Sequence, residues 1–169
     1  MCMPITKIID QKNLERLCDQ ARESARLRCN YNLHPHLSDP VQRFCNALHR
    51  GTYVRPHRHI GVDRWELFVI LQGKVGILLF DDDGKIVQRT VLEASGENQI
   101  IEIPTGQWHC LFALADNTVL FECKPGPYEK LTDKDFALWA PPEGDAAANQ
   151  FVQWYEQALI GDRPPALGS

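Results

Sequence analysis

Two histidines one residue apart, His57 and His59, constrain this chain more than anything else in it; they lie in GTYVRPHRHIGVDRWELFVILQG (51–73). Successive side chains of a strand leave on opposite faces, so the two imidazoles share a side and Arg58 takes the other. Glu66 heads the apolar run Leu67-Phe68-Val69-Ile70-Leu71, which closes at Gly73. If the two strands are neighbours, two imidazoles and a carboxylate converge, which is half of a metal site. Further along, IIEIPTGQWH (100–109) reads as an apolar strand, a Pro-x-Gly turn and one more histidine, His109.

The spacing of Gly51, His57, His59, Glu66 and Gly73, followed by Pro104, Gly106 and His109, resembles the two signature motifs of the cupin superfamily. The resemblance implies an all-β fold, the double-stranded β-helix or jelly-roll barrel. It also implies one metal ion held by His57, His59, Glu66 and His109. The turn between His59 and Glu66 is longer than in the general pattern, and the asparagine that often closes the second motif is replaced by Ala113. Arg55-Pro56-His57-Arg58-His59, Trp65-Glu66-Leu67-Phe68, Gly126-Pro127-Tyr128 and Asp133-Lys134-Asp135-Phe136-Ala137-Leu138-Trp139-Ala140-Pro141 are similar to the WbuC family of cupin-fold metalloproteins. That family is associated with bacterial O-antigen and surface-polysaccharide gene sets. The resemblance therefore implies a fold and a site, and leaves the catalytic residues and the reaction open.

Three neutral imidazoles and a carboxylate suit a borderline divalent ion: Fe, Mn, Ni, Co or Zn. An octahedral ion would keep two positions for water, oxygen or a bidentate ligand. A purely structural zinc site would be closed by four ligands and richer in cysteine.

A chain of 169 residues is long enough for one domain with a sizeable core. Its net charge of −4 gives no bulk attraction to nucleic acid, so no nucleic-acid partner is expected. No stretch reaches the roughly 18–20 apolar residues that span a bilayer, and 1–6 lacks the basic and apolar regions of a signal peptide. A cytoplasmic protein without a membrane partner is the expectation. The cysteines at 2, 18, 29, 45, 110 and 123 form no C-x-x-C pair and are expected as free thiols. Alternation turns Cys110 away from the metal.

Along the chain, Leu14, Leu17, Cys18, Ala21 and Ala25 recur at helical intervals behind Asp10, a suitable N-cap. The stretch 29–40 reads as a loop, with His34-Pro35-His36 on the surface or at the rim of the site. From Val41 onward, many short apolar runs are punctuated by Gly, Pro, Asn and Asp, which argues for an antiparallel barrel or sandwich without help from any family. Asp81-Asp82-Asp83-Gly84 marks a hairpin turn, and 85–92 and 99–104 are read as continuing one ladder. Phe151, Trp154, Tyr155, Ala158 and Leu159 form a second helical stripe. The expected organisation is a helix and loop (1–40), a barrel (41–145) and a C-terminal helix and tail (146–169), one domain in all. The runs 65–71 and 75–80 are apolar on both strand faces, so helices and a second subunit are expected to cover the outside, giving a homodimer.

Arg55, Arg64, Lys124 and Tyr128 cluster around the motifs and are candidate binders of a small anionic or sugar-derived ligand, a sugar nucleotide included, because guanidinium groups hold carboxylates and phosphates. Surface ion pairing accounts for the arginines equally well, and Trp108 stands equally as core or pocket wall. Two functions compete. One is a metal-assisted isomerase, epimerase, lyase or oxygenase. The other is a non-catalytic metal- or sugar-binding module; the lack of a helix-turn-helix pattern weighs only against its transcription-factor version.

Overall fold

A computed structural model describes residues 6–128 and 135–167. Cys2, the stretch 1–5 and the Asp133-Lys134 start of the last family-like block lie outside the described residues.

The element order is α1 (Gln11–Glu23), β1 (Arg28–Asn32), β2 (Val41–Leu48), β3 (His57–Arg58), β4 (Glu66–Gln72), β5 (Lys74–Phe80), β6 (Ile86–Glu93), β7 (Ile100–Ile103), β8 (Trp108–Ala113), β9 (Thr118–Pro125), β10 (Asp135–Phe136) and α2 (Ala148–Gln157). Two five-stranded antiparallel sheets are ordered β1-β2-β9-β4-β7 and β10-β3-β8-β5-β6. This is the jelly-roll architecture of cupins, flanked by two helices.

Two expectations are corrected. Residues 28–32 form an edge strand, with Tyr31 opposite Cys45, where a loop was read. Its polar sequence hides the strand, because an edge strand half in water needs no apolar alternation. Secondly, β7 does not continue the β5–β6 hairpin; it crosses to the other sheet and pairs with β4. Sequence adjacency favours the hairpin, whereas burying Ile103 in the core between the sheets requires the crossing.

Alternation explains the layers. Val75, Ile77 and Leu79 of β5 and Leu111 of β8 face inward and meet Leu48, Phe68, Ile70 and Leu120 of the opposite sheet. The outward Leu78, Phe80, Cys110 and Phe112 are covered by Phe151 and Tyr155 of α2. Outward Cys45, Ala47 and Val119 are covered by Leu17, Cys18 and Ala21 of α1. The helix α1 begins with a capping box, Asp10 accepting from the Asn13 backbone and Asn13 from that of Asp10. The doubly apolar β5 is thus explained by α2. On β4 the outer Leu67 and Val69 are half-buried and Leu71 is exposed. Gly73 alone links β4 to β5 at φ +76, and a Cβ there would stand 2.8 Å from the Thr118 backbone, so only glycine fits.

Candidate metal centre

The inner face between the sheets is apolar at one end and polar at the other. At the polar end His57 on β3 lies opposite His109 on β8. Phe136 of β10 pairs with His57 from the other side. Glu66 comes from the head of β4 in the facing sheet. The turn that carries the second motif fixes two of these groups. Gly106 takes φ +80, and its N–H donates to the His59 carbonyl at 2.9 Å. The next residues, Gln107 and Trp108, then lead His109 back into β8.

The four side chains are buried, with one ligand atom of each lying within 4.8 Å of the others. Glu66 Oε1 lies 3.0 Å from His59 Nε2, and Oε2 lies 2.9 Å from His109 Nε2. The Glu66 Oε2 and His109 Nε2 atoms face each other without the alignment of a hydrogen bond. Lone pairs aimed at a common point produce that arrangement. Nδ1 of His57 is 2.9 Å from the Arg55 carbonyl, and Nδ1 of His109 is 2.9 Å from the Gln107 carbonyl. A carbonyl only accepts, so each ring carries its proton on Nδ1, which leaves Nε2 in the form that can act as a metal ligand. Metal-binding histidines are oriented in this way. The donor set thus fits a divalent transition ion.

Burial alone would raise the Glu66 carboxyl, but the Lys124 ammonium leads the interactions that outweigh it, and the group is held well below the ordinary glutamate range. Lys124 Nζ donates to Glu66 Oε1 at 3.0 Å and lies 3.3 Å from Glu122 Oε1.

A cavity of about 360 Å³ opens beside the centre, and His57, Glu66, Lys124 and Tyr128 line it. Arg55, Arg64 and Trp108 do not. Arg55 donates to the Ala137 carbonyl at 2.8 Å and lies over the Phe136 ring. Arg64 donates to the Pro127 carbonyl at 3.2 Å, and its backbone N–H donates to Thr105 Oγ1, so it ties two loops together. Trp108 points out of the barrel into the aromatic core under α2, beneath the Arg58 guanidinium. Cys110 is buried in that same outer core, away from the centre.

Sequence reasoning passed over Asn46 and Glu122, which also line the cavity, as does His34 of the loop read as surface or rim. His34 is only 4% exposed, and its Nδ1 contacts both backbone polar groups of Arg43. Of the two positions read for the 34–36 loop, surface and rim, His34 takes the rim, since its contact with β2 brings the ring inside. For Asn46 and Glu122 the signal was present: each shares strand parity with inward residues, Asn46 with Leu48 and Glu122 with Leu120.

A family described as a domain of unknown function (DUF6016) matches residues 9–92, which include His57, His59 and Glu66 but not His109. No curated protein matches the chain in sequence. Among solved structures, the capsular polysaccharide assembling protein CapF of Staphylococcus aureus is 19% identical, with a TM-score of 0.55 over 67% of this chain and 32% of CapF. A recombinant oxalate oxidase in complex with glycolate is 15% identical, with a TM-score of 0.50 over 68% of this chain and 57% of the oxidase. A cupin superfamily protein of Desulfitobacterium hafniense is 19% identical, with a TM-score of 0.46 over 58% of this chain and 76% of that one. The similarity is one of fold. This chain spans about a third of CapF.

Proposed function

We propose that the protein is a metal-dependent cupin that binds a divalent transition ion (Fe, Mn, Ni, Co or Zn) through His57, His59, Glu66 and His109. The observation that carries this reading is the pair of Nδ1 contacts to the Arg55 and Gln107 carbonyls, which leave His57 and His109 with inward-facing lone pairs beside a buried carboxylate. When bound, such an ion polarises a carbonyl or hydroxyl, or activates water. We take the activity to be metal-assisted isomerisation, epimerisation, elimination or oxygenation of a small anionic or sugar-derived substrate.

The cavity supports the size of that substrate. Its 360 Å³ is about twelve water volumes and lies at the small end of ligand pockets. A monosaccharide-sized group fits inside, and a whole sugar nucleotide would extend through the mouth. Asn46, Glu122 and Lys124 give its wall hydrogen-bonding groups, while Phe44 and Phe68 give it apolar faces. The resemblance to the WbuC family and the fold shared with CapF favour a role in surface-polysaccharide metabolism. The half-covered outer face of β4 supports a homodimer.

Elemental analysis of the untagged protein tests the centre, paired with anomalous diffraction. About one transition metal per chain is expected in the wild type and none in His109→Ala, with the fold retained by circular dichroism. Metal retained in His109→Ala would refute this ligand set.

A further inference from the structure

Across the inner face of the β1-containing sheet runs a chain of four polar side chains on three strands. Asn46 of β2 donates through Nδ2 to Glu122 Oε2 at 2.6 Å. Glu122 Oε1 meets Lys124 Nζ at 3.3 Å, and Lys124 Nζ donates to Glu66 Oε1 at 3.0 Å. Glu122 and Lys124 stand two apart on β9 and so share a face. The pairing of Leu67 with Cys123 brings Lys124 alongside Glu66. Lys124 and Glu122 are each only 6% exposed, and all four residues line the cavity.

An ammonium is seldom buried so far unless its partners repay desolvation, and here one lysine sits between two carboxylates. Its position makes the two Glu66 oxygens unequal. Oε1 holds the Lys124 ammonium and lies against His59, while Oε2 has no aligned donor. A divalent cation and an ammonium pressed on one oxygen would repel each other at short range in a weakly screened site. Glu122, itself oriented by Asn46, holds the ammonium from the other side and keeps it from swinging away.

We propose that Lys124 is a positioning residue that confines Glu66 to ligation through a single oxygen, and so keeps a coordination position beside it open to a small oxygen-donor ligand in the cavity. The inference rests on the metal-centre reading above. It assigns the Asn46–Glu122–Lys124 chain to the coordination mode of the ion and not to its retention.

The test loads metal-stripped protein with Co(II) and records the visible d–d spectrum, first alone and then titrated with glycolate as the oxygen-donor probe. The informative variant is Lys124→Met combined with Glu122→Gln, which removes the ammonium without stranding a buried carboxylate beside it. Lys124→Arg serves as the conservative rescue. The double variant is expected to bind one Co(II) per chain and to show weaker d–d absorption before any glycolate is added, as a second Glu66 oxygen raises the coordination number. Its glycolate affinity is expected to fall at least about tenfold, a difference of roughly 1.4 kcal/mol. Lys124→Arg should keep a spectrum close to wild type. A double variant with wild-type spectrum and affinity overturns the proposal. Loss of cobalt from the double variant overturns it as well, because Lys124 would then sustain binding of the ion itself. Failure of the metal-centre reading is separately visible, since wild-type protein would then take up no cobalt.

Discussion

His57 and His109 use the same local device. Each ring hydrogen-bonds the carbonyl two residues before it, Arg55 or Gln107, so the backbone that shapes the motif also sets the tautomer. Neutral rings are required for metal binding, so protons compete with the ion and acidification releases it. The expected result is progressive loss of bound metal as the pH is lowered, read by equilibrium dialysis at fixed ion concentration; metal retained unchanged to pH 4 would contradict it. At this scale the sequence was informative about His57 and His59, which do reach one centre, although β3 ends at Arg58 and His59 is held by the Gly106 N–H on its carbonyl and not by strand alternation. It did not choose between surface and rim for His34, whose burial comes from a contact with Arg43 that no local pattern records. Arg55 stands two residues before His57, but β3 is only two residues long and begins after it, so alternation does not carry Arg55 to the centre.

At the scale of elements, two pairings carry the architecture and each exposes a weak point. Gly76 of β5 lies opposite Phe112 of β8, and a Cβ on Gly76 would stand 2.1 Å from the ring. The Phe112 ring is held between Arg89 at 5.2 Å and Tyr155 of α2 at 5.8 Å, so it has little room to yield. Gly76→Val should therefore destabilise the protein by about 1–3 kcal/mol or more, measured by urea denaturation; a change below about 0.5 kcal/mol would show that the ring relaxes freely. The other pairing ties the segment before α2 to β1, since Glu143 accepts from both Arg26 and Arg28, and Arg28 also donates to the Tyr53 carbonyl. Burial works to raise the Glu143 carboxyl, and Arg28 with Arg26 more than reverses it, so its pKa is lowered in the folded chain. A lowered folded value stabilises above the unfolded value, near 4.3, and that contribution is lost as pH falls through the folded one. Between pH 5 and 3 the stability of Glu143→Gln should fall less steeply than that of the wild type, and parallel curves would remove the anchor from this account. The partner strand β1 was illegible in sequence for a physical reason: RCNYN has its polar groups in water at a sheet edge. β2, β4, β5, β8 and β9 were legible because their inner faces enter the core, although which sheet received β7 was not.

At the scale of the molecule, the apolar core holds the two sheets together at one end, and the candidate centre joins them at the other. His57 and His109 belong to the β8 sheet and Glu66 to the β4 sheet, so an ion held by all of them is a cross-sheet link that the unfolded chain lacks. Any ion bound to the folded state alone stabilises it by mass action, about 4 kcal/mol at a free concentration a thousandfold above Kd. For a chain of this length each kcal/mol moves the melting temperature by about 2–4 °C. Saturation should then raise the midpoint of the wild type by roughly 8–16 °C over the chelator-treated protein. His109→Ala should melt at one temperature with or without metal, because one of the four groups that close on the ion is gone. Differential scanning calorimetry of both proteins at matched free metal decides the matter. An equal rise in both would mean that the ion binds elsewhere, and no rise in the wild type would mean that the buried cluster holds no ion and that the two sheets are joined at this end by the Glu66–histidine contacts alone.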